Sequence, residues 1–374
     1  MSTVKLMLAE LRKEKGITQS ELADYLGMSF QAISKWENGT TMPDITYLPK
    51  LAEYFNVSVD EILGLKPLNN REYIPSGTDN SEHWDKELDY LKNSRIGFWN
   101  VDYLEFLVHK VWKIFKPINI VDFGCGYGYL GMLLLPILPK GSKYTGIDFS
   151  ETLLSKARSL FKDSEYETEF INCDFNIYNA KEKYDMAICQ AVLRHLPNPK
   201  DVLKKMVDAV SFGGRVVCIE VNREFEAAGL YIKGIDYNPP YASSVYRKLW
   251  KTELELEGRD YSIGMKVPFY MQECGLNNID FRVNDRANFI NPYGEKNEYN
   301  KLLHSLKTTK HWDKVPPSER KEIDIQHYMN RGVSRAEAEI YVNNNAEISR
   351  YLLYEGENAF VLKTLCMLVS YGTK

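Results

Sequence analysis

Between residues 117 and 222 short apolar runs alternate with segments whose apolar positions recur at helical spacing. Ile118, Ile120 and Val121 run into Asp122, and Tyr144 to Ile147 run into Asp148. Glu169 to Cys173 lead to Asp174, Tyr184 to Cys189 end at Gln190, and Gly213 to Glu220 supply a fifth run. Apolar stretches this short read as strands, and their continuity suits strands buried on both faces of a parallel sheet. Alternation with helices predicts an α/β doubly wound sheet. A polar side chain then stands at the carboxyl ends of the first four strands, where such folds open their ligand crevice.

The first of these ends is followed by Phe123-Gly124-Cys125-Gly126-Tyr127-Gly128 and then by a helical pattern from Tyr129 to Leu134. Glycines at every second position let the backbone pass close to a ligand and turn amide N–H groups toward it. A dinucleotide fingerprint needs glycines at first, third and sixth positions. Counted from Gly124 the sixth is Tyr129, so that pattern fails. Asp-x-Gly-x-Gly-x-Gly resembles instead the first motif of class I S-adenosylmethionine-dependent methyltransferases, which share a Rossmann-like fold, and the later strands match that family in order. The resemblance implies S-adenosylmethionine as cofactor, with Asp122 ordering the loop and Gly124, Gly126 and Gly128 against its methionine part. Asp148 would take the ribose hydroxyls and Asp174 would face the adenine amino group, with Phe149 or Phe175 against the ring and Gln190 closing the fourth strand. Ala191 to Pro199 looks like the fourth-strand region of small-molecule methyltransferases. His195 within it is the candidate catalytic base, because imidazole titrates near neutrality. Its alternative role is to cap a helix or bond a backbone carbonyl. Arg194 beside it would bind an acidic substrate or lie in solvent.

Residues 1–66 are patterned differently, as short helical stretches broken by Gly16, Gly27, Gly39 and Pro43. Thr18 followed three residues later by Glu21 predicts a capping box, Gly27 a helix end, and Ser29 the cap of a helix from Phe30 to Glu37. Two helices so joined make a helix-turn-helix. Gly-Ile-Thr-Gln-Ser-Glu-Leu-Ala (16–23), Ala-Ile-Ser-Lys-Trp-Glu-Asn-Gly (32–39) and Val-Ser-Val-Asp-Glu-Ile-Leu (57–63) resemble the Cro/lambda-repressor (XRE) DNA-binding family. That resemblance implies a core of Ala23, Leu26, Ile33 and Trp36. It places Gln31, Ser34 and Lys35 on the outward face of the recognition helix and Gln19 on phosphate. Seven basic residues against nine acidic ones leave this stretch at −2, which predicts weak DNA binding by a monomer, to be rescued by a homodimer or by a narrow operator. Use as a protein contact is the alternative.

Pro67, Pro75, Gly77 and their polar neighbours make 67–81 a linker by composition. The methyltransferase domain is expected over 82–374, opening with an aromatic-rich helical cover over 82–116 and continuing with a core sheet over 117–222. Trp99, in the break Gly97-Phe98-Trp99-Asn100, is the cofactor-site candidate from the cover. Helical insertions on the substrate side fall within 223–357, with helices over Glu224–Glu257 and Asn300–Tyr354, a strand over Asn278–Asn284 and a last strand over 359–370. Tyr231, Tyr237, Tyr241, Tyr246 and Tyr270 are candidates for an aromatic cavity. Asn238-Pro239-Pro240-Tyr241 resembles the clamp of amino-group methyltransferases, but it sits beyond the fifth strand instead of following the fourth and reads as a turn.

Composition adds limits. A net charge of −4 gives no general polyanion-binding signal, and no apolar run is long enough to span a membrane. Met1–Lys15 is too charged for a signal peptide. Six cysteines without a C-x-x-C pair suit reduced core residues of a cytoplasmic protein that uses no metal. The function expected is O- or N-methylation of a small molecule by a chain that also binds DNA. The alternatives are a regulator that senses S-adenosylmethionine or a metabolite, and a nucleic-acid methyltransferase.

Overall fold

The computed structural model describes residues 6–374 apart from 56, 58, 65–83, 176, 181, 197 and 236–242. The expected linker and the Asn238–Tyr241 turn therefore lie outside the described residues. The chain divides into two compact units, Met1–Ile74 and Pro75–Lys374.

The first unit is helical: α1 (Leu8–Glu14), α2 (Gln19–Leu26), α3 (Phe30–Glu37), α4 (Leu48–Phe55) and α5 (Val59–Ile62). The capping box forms, with Glu21 N–H donating to Thr18 Oγ1 at 3.2 Å and Thr18 N–H donating to Glu21 Oε2 at 2.7 Å. Gly27 takes φ 70°, the left-handed conformation that ends α2 without a Cβ penalty. Ser29 occupies the cap of α3, but its hydroxyl makes no cap bond; only its carbonyl serves, accepting from Ala32 N–H. Leu22, Ala23, Leu26, Ile33 and Trp36 close on Leu8, Leu51 and Phe55. Arg12 forks onto Glu37 at 2.6 and 3.0 Å, and Gln19 donates to the same carboxylate at 2.8 Å. Burial works against the Glu37 charge, yet these donors hold its carboxyl below the usual range and lock three helices together.

The second unit opens with α6 (Leu88–Arg95) and α7 (Val101–Phe106). There follow β1 (Asn119–Phe123), α8 (Tyr129–Leu134), β2 (Lys143–Asp148), α9 (Glu151–Phe161) and β3 (Glu167–Asn172). Next come β4 (Tyr184–Gln190), α10 (Pro199–Ala209) and β5 (Val210–Val221). Beyond them lie α11 (Arg223–Ala228), β6 (Leu230–Ile232), α12 (Ser243–Glu257), α13 (Ile263–Glu273), β7 (Asn277–Val283) and β8 (Ala287–Ile290). The chain ends with α14 (Lys296–Lys310), α15 (Ser318–Met329), α16 (Arg335–Glu355), β9 (Val361–Thr364) and β10 (Met367–Thr373). The main sheet has the order β3-β2-β1-β4-β5-β10-β7, parallel except for β10, which runs antiparallel to β5 and β7. It is a doubly wound Rossmann-like sheet. Ile120, Ile188, Val217 and Ile219 face one helix layer while Val121, Ala187, Cys189, Val216 and Cys218 face the other, so strands buried on both sides read as continuous apolar runs.

Three expectations need correcting. The single last strand is two: β9 belongs to a small antiparallel sheet, β6-β9-β8, and the chain turns at Leu365 and Cys366 before β10 enters the main sheet. Apolar residues occur on both sides of the corner although Leu362 in β9 is exposed, so periodicity hid the corner. The helical stretch from Glu224 is interrupted by β6. The third strand stops at Asn172, the partner of Asp148 at the end of the ladder, which leaves Asp174 and Phe175 in the loop beyond. Among the described residues no helix is long and apolar enough to cross a membrane.

The capping box makes a direct prediction. Thr18→Ala should cost about 1 kcal/mol, read as roughly fivefold faster amide hydrogen exchange across Gln19–Leu26 in the full chain.

Candidate active site

The strand order reverses between β1 and β4, and a crevice opens at their carboxyl ends. It is a cavity of about 370 Å³ walled by the β1 loop, the ends of β2 and β4, the β3 loop and one face of α6. The loop is held from beneath. Gly124 and Cys125 N–H both donate to Ile147 O, at 2.8 and 3.0 Å, and Gly126 N–H donates to Asp148 Oδ2 at 2.8 Å. These amides are thus already satisfied by the protein, contrary to the expectation that they would point at a ligand. Each glycine has its own reason. A Cβ on Gly124 would sit 2.5 Å from Val192 Cγ2, so its absence lets the β1 loop touch the segment after β4. Gly126, at φ 54°, has only Leu153 Cδ1 near a Cβ, at 3.9 Å, and its open side forms the floor of the cavity. Gly128 is not in the wall: a Cβ there would meet Phe161 at 2.9 Å, and the residue starts α8.

Two buried carboxylates flank the loop. Asp148 accepts from Gly126 N–H and, at 2.9 Å, from Ser150 N–H; burial outweighs these bonds and lifts its pKa to about 6. Asp122 accepts from the Tyr144 hydroxyl at 2.5 Å, while its Oδ1 is buried without a partner. Burial, eased only partly by that hydroxyl and worsened by Asp148, lifts Asp122 to about 7. Phe149 and Phe175 meet edge to face, with centroids 6.4 Å apart, on the wall beside the exposed Asp174. Across the cavity stands Arg95, which forms no ion pair with any described residue; burial lowers its pKa first, against the partial support of Tyr127, Tyr90 and Tyr129.

The segment after β4 is built around Glu220, a fully buried acid in β5. Its Oε1 accepts from Val192 N–H at 2.9 Å and from Leu193 N–H at 2.7 Å. Ala191 is bent to φ 56°, a strained value for a residue with a Cβ, and its own N–H donates to Ile219 O at 2.8 Å. That bend carries the chain into a 3₁₀ turn over Leu193–His195 and sets His195 in the cavity wall, edge to face with Trp84 at 5.1 Å.

Comparison with known proteins agrees with this architecture. Residues 114–258 match the family described as Methyltransferase domain, and residues 8–62 match the family described as Helix-turn-helix. The chain carries both domains. Curated relatives include the ubiquinone biosynthesis O-methyltransferase of Stutzerimonas stutzeri, 28% identical over 41% of this chain and 64% of that enzyme. The enzyme of the same name from Aeromonas salmonicida is 29% identical over 42% and 64%. This chain thus matches under two thirds of the length of those relatives. Similar solved structures include phosphoethanolamine N-methyltransferase 2 of Haemonchus contortus with S-adenosyl-L-methionine, 13% identical, covering 73% of this chain and 52% of that one at a TM-score of 0.40. Another is a methyltransferase of Geobacter sulfurreducens with S-adenosylhomocysteine, 12% identical over 73% and 91%, TM-score 0.39. At these scores both likenesses are loose.

Within the methyltransferase domain the cavity wall gathers Asp122, Gly124, Gly126, Asp148, Phe149, Asp174, Phe175, Gln190 and His195 from the sequence reading, but neither Gly128 nor Trp99. Trp99 is buried behind the wall and donates from Nε1 to Gln190 Oε1 at 2.9 Å, so it positions Gln190. The base expected at His195 is also corrected. Arg194 Nε–H donates to His195 Nε2 at 2.8 Å, which occupies the only lone pair a neutral imidazole has. Nδ1 then carries the proton, and it is buried without a partner. Burial first, and then the charges of Arg194, Arg259, Arg95 and Arg223, push the His195 pKa well below 6.5. The ring is a neutral hydrogen-bond donor. Arg95, Trp84 and Glu220 escaped the sequence reading; Glu220 alone left a signal, a charge inside the apolar run Val216–Val221. Of the tyrosine candidates, Tyr231 is exposed, Tyr270 packs at the core, Tyr246 lines a second cavity, and Tyr237 and Tyr241 lie outside the described residues.

In the helix-turn-helix domain Gln31 and Lys35 are exposed and Ser34 is half-buried, while the Gln19 amide is held by Glu37. For His195, nitrogen NMR of ¹⁵N-histidine-labelled protein should find a neutral ring at about pH 6, protonated on Nδ1. A ring titrating near its ordinary value, or protonated on Nε2, would contradict the assignment.

Proposed function

We propose that the second unit is an S-adenosylmethionine-dependent methyltransferase acting on oxygen or nitrogen of a small molecule, and that the first unit directs the chain to DNA. The observation that carries the enzyme reading is the Gly124–Gly126 loop, clasped by Asp148 and lining the cavity, with Gly126 open toward it. A nucleoside fits the wall beside it: Asp148 and Asp174 offer acceptors, and the Phe149–Phe175 pair offers ring faces. Arg95, with no ion pair among the described residues, offers a cation to the carboxylate of an amino-acid moiety. S-adenosylmethionine would supply an activated methyl group on a sulfonium. The residues of this chain align the acceptor and exclude water. With the His195 lone pair engaged, no base is assigned, which suits an acceptor that arrives deprotonated. The O-methylation named for the curated relatives supports an oxygen acceptor. The experiment is calorimetry with S-adenosylmethionine and S-adenosylhomocysteine. Asp148→Ala should weaken both by about 1.5–3 kcal/mol, roughly tenfold to a hundredfold. No heat with either compound, or tighter binding of a nicotinamide dinucleotide, overturns the assignment.

For DNA, the exposed Gln31 and Lys35 with Ser34 on the recognition helix support sequence-specific binding by a homodimer on an inverted repeat, with Gln19 freed from Glu37 to meet phosphate. Lys35→Ala should weaken binding and lower the salt dependence by about one phosphate contact. Selection from random duplexes followed by mobility shift is the measurement. If no sequence is enriched even at low salt, the domain serves protein contact.

A further inference from the structure

A second cavity, of about 190 Å³, lies on the other side of α6. Tyr90, Ser94 and Phe98 line it, whereas the neighbouring Leu91 and Arg95 line the first cavity. Its remaining walls come from the ends of β5 and β10 in the core sheet, from α11, α12, Tyr261 and α14, and from β9 and the corner that follows it.

Three cations reach this cavity, Arg223, Lys310 and Lys363, against one carboxylate, Glu226. Arg223 is ion-paired with Glu226, and Lys363 lies 3.8 Å from the same carboxylate. Lys310 has no ion pair among the described residues. Unpaired charge in so enclosed a place is costly unless something anionic joins it. Part of the lining is aromatic: Tyr246 stacks on Trp250 with centroids 5.2 Å apart, and Trp250 stacks on Tyr261 at 5.9 Å. Cations and stacked rings in one lining match a flat molecule with an acidic group.

We propose that this cavity is the acceptor subsite, taking an aromatic or otherwise planar organic oxyanion, a carboxylate or a phosphate, with its charge on Lys310 and Lys363 and its plane against Tyr246 and Trp250. The assignment rests on the reading of the neighbouring cavity as the cofactor site. The local field agrees with it. Burial alone would raise the Tyr90 hydroxyl, yet Arg194, Arg223 and Arg95 hold its pKa below the ordinary value. Burial brings Lys310 down only to about 8, so it is charged at neutral pH. Burial also opposes the Glu226 charge, but Arg223, Lys310 and Lys363 outweigh it and keep that carboxyl at about 2. One carboxylate thus leaves two positive charges for a ligand to meet.

The test is calorimetry on the full chain with benzoate, phenyl phosphate, inorganic phosphate and neutral benzamide, beside S-adenosylhomocysteine. Benzoate or phenyl phosphate should bind at least tenfold more tightly than benzamide and than inorganic phosphate, and the better of the two identifies the acid. Lys310→Met should weaken that oxyanion at least tenfold while S-adenosylhomocysteine affinity stays within about twofold, which also reports an intact fold; Lys363→Met serves the same purpose should the first variant fail to fold. Benzamide binding as tightly as benzoate, oxyanion affinity unchanged in both variants, or no oxyanion binding by a chain that binds S-adenosylhomocysteine overturns the proposal. Oxyanion binding by a chain that ignores S-adenosylhomocysteine upholds the site and overturns the cofactor reading instead.

Discussion

A carboxylate at the end of β2 accepts two backbone N–H groups, from Gly126 at 2.8 Å and Ser150 at 2.9 Å, and the geometry of the crevice depends on it. Without Asp148 the β1 loop would rest only on its two bonds to Ile147 O, and the floor at Gly126 would have no fixed height. The opposite wall uses the same device. Glu220 takes the N–H groups of Val192 and Leu193 and so holds the strained bend at Ala191 that delivers His195. Each acid is buried at a cost visible in its raised pKa, about 6 for Asp148 and about 7 for Glu220. A hydrophobic residue in place of either acid would leave the amides it holds buried and unsatisfied, so each acid fixes the shape of the crevice in spite of the cost of its own burial.

Much of this was legible in the chain. The core strands announce themselves because strands buried on both faces are apolar at every position, and β4 was predicted to the residue, Tyr184–Gln190. Caps were half legible: Thr18 and Glu21 form their box because both partners are local, while Ser29 stands in the right place with its hydroxyl unused. Apart from the bond between the adjacent Arg194 and His195, the failures share one cause, contacts distant in sequence. Nothing near Trp99 says that Gln190 will accept from it across ninety-one positions. Nothing near His195 says that its lone pair will be taken by the residue beside it while arginines from three other segments depress its pKa. The corner at Leu365 was invisible because apolar residues continue from β9 through it into β10, although the two strands belong to different sheets.

Two neighbouring cavities of the second unit differ in charge, and residues of α6 line both. The first is bounded by the buried acids Asp122 and Asp148, both with raised pKa values, and by the rim acid Asp174. The second is bounded by Arg223, Lys310 and Lys363. A cationic ligand in the first cavity would favour the ionised carboxylates there, and an anionic one in the second would satisfy cations that Glu226 cannot. A cationic methyl donor and an acidic acceptor are the pair that both fields accommodate at once. Arg95 is the exception, a cation on the acidic side, and it fits a cofactor whose sulfonium lies a short chain away from its own carboxylate. In that arrangement binding energy comes from charges remote from the reacting atoms. The chemistry then asks of the protein only alignment and dryness, which agrees with a histidine whose lone pair is already spent.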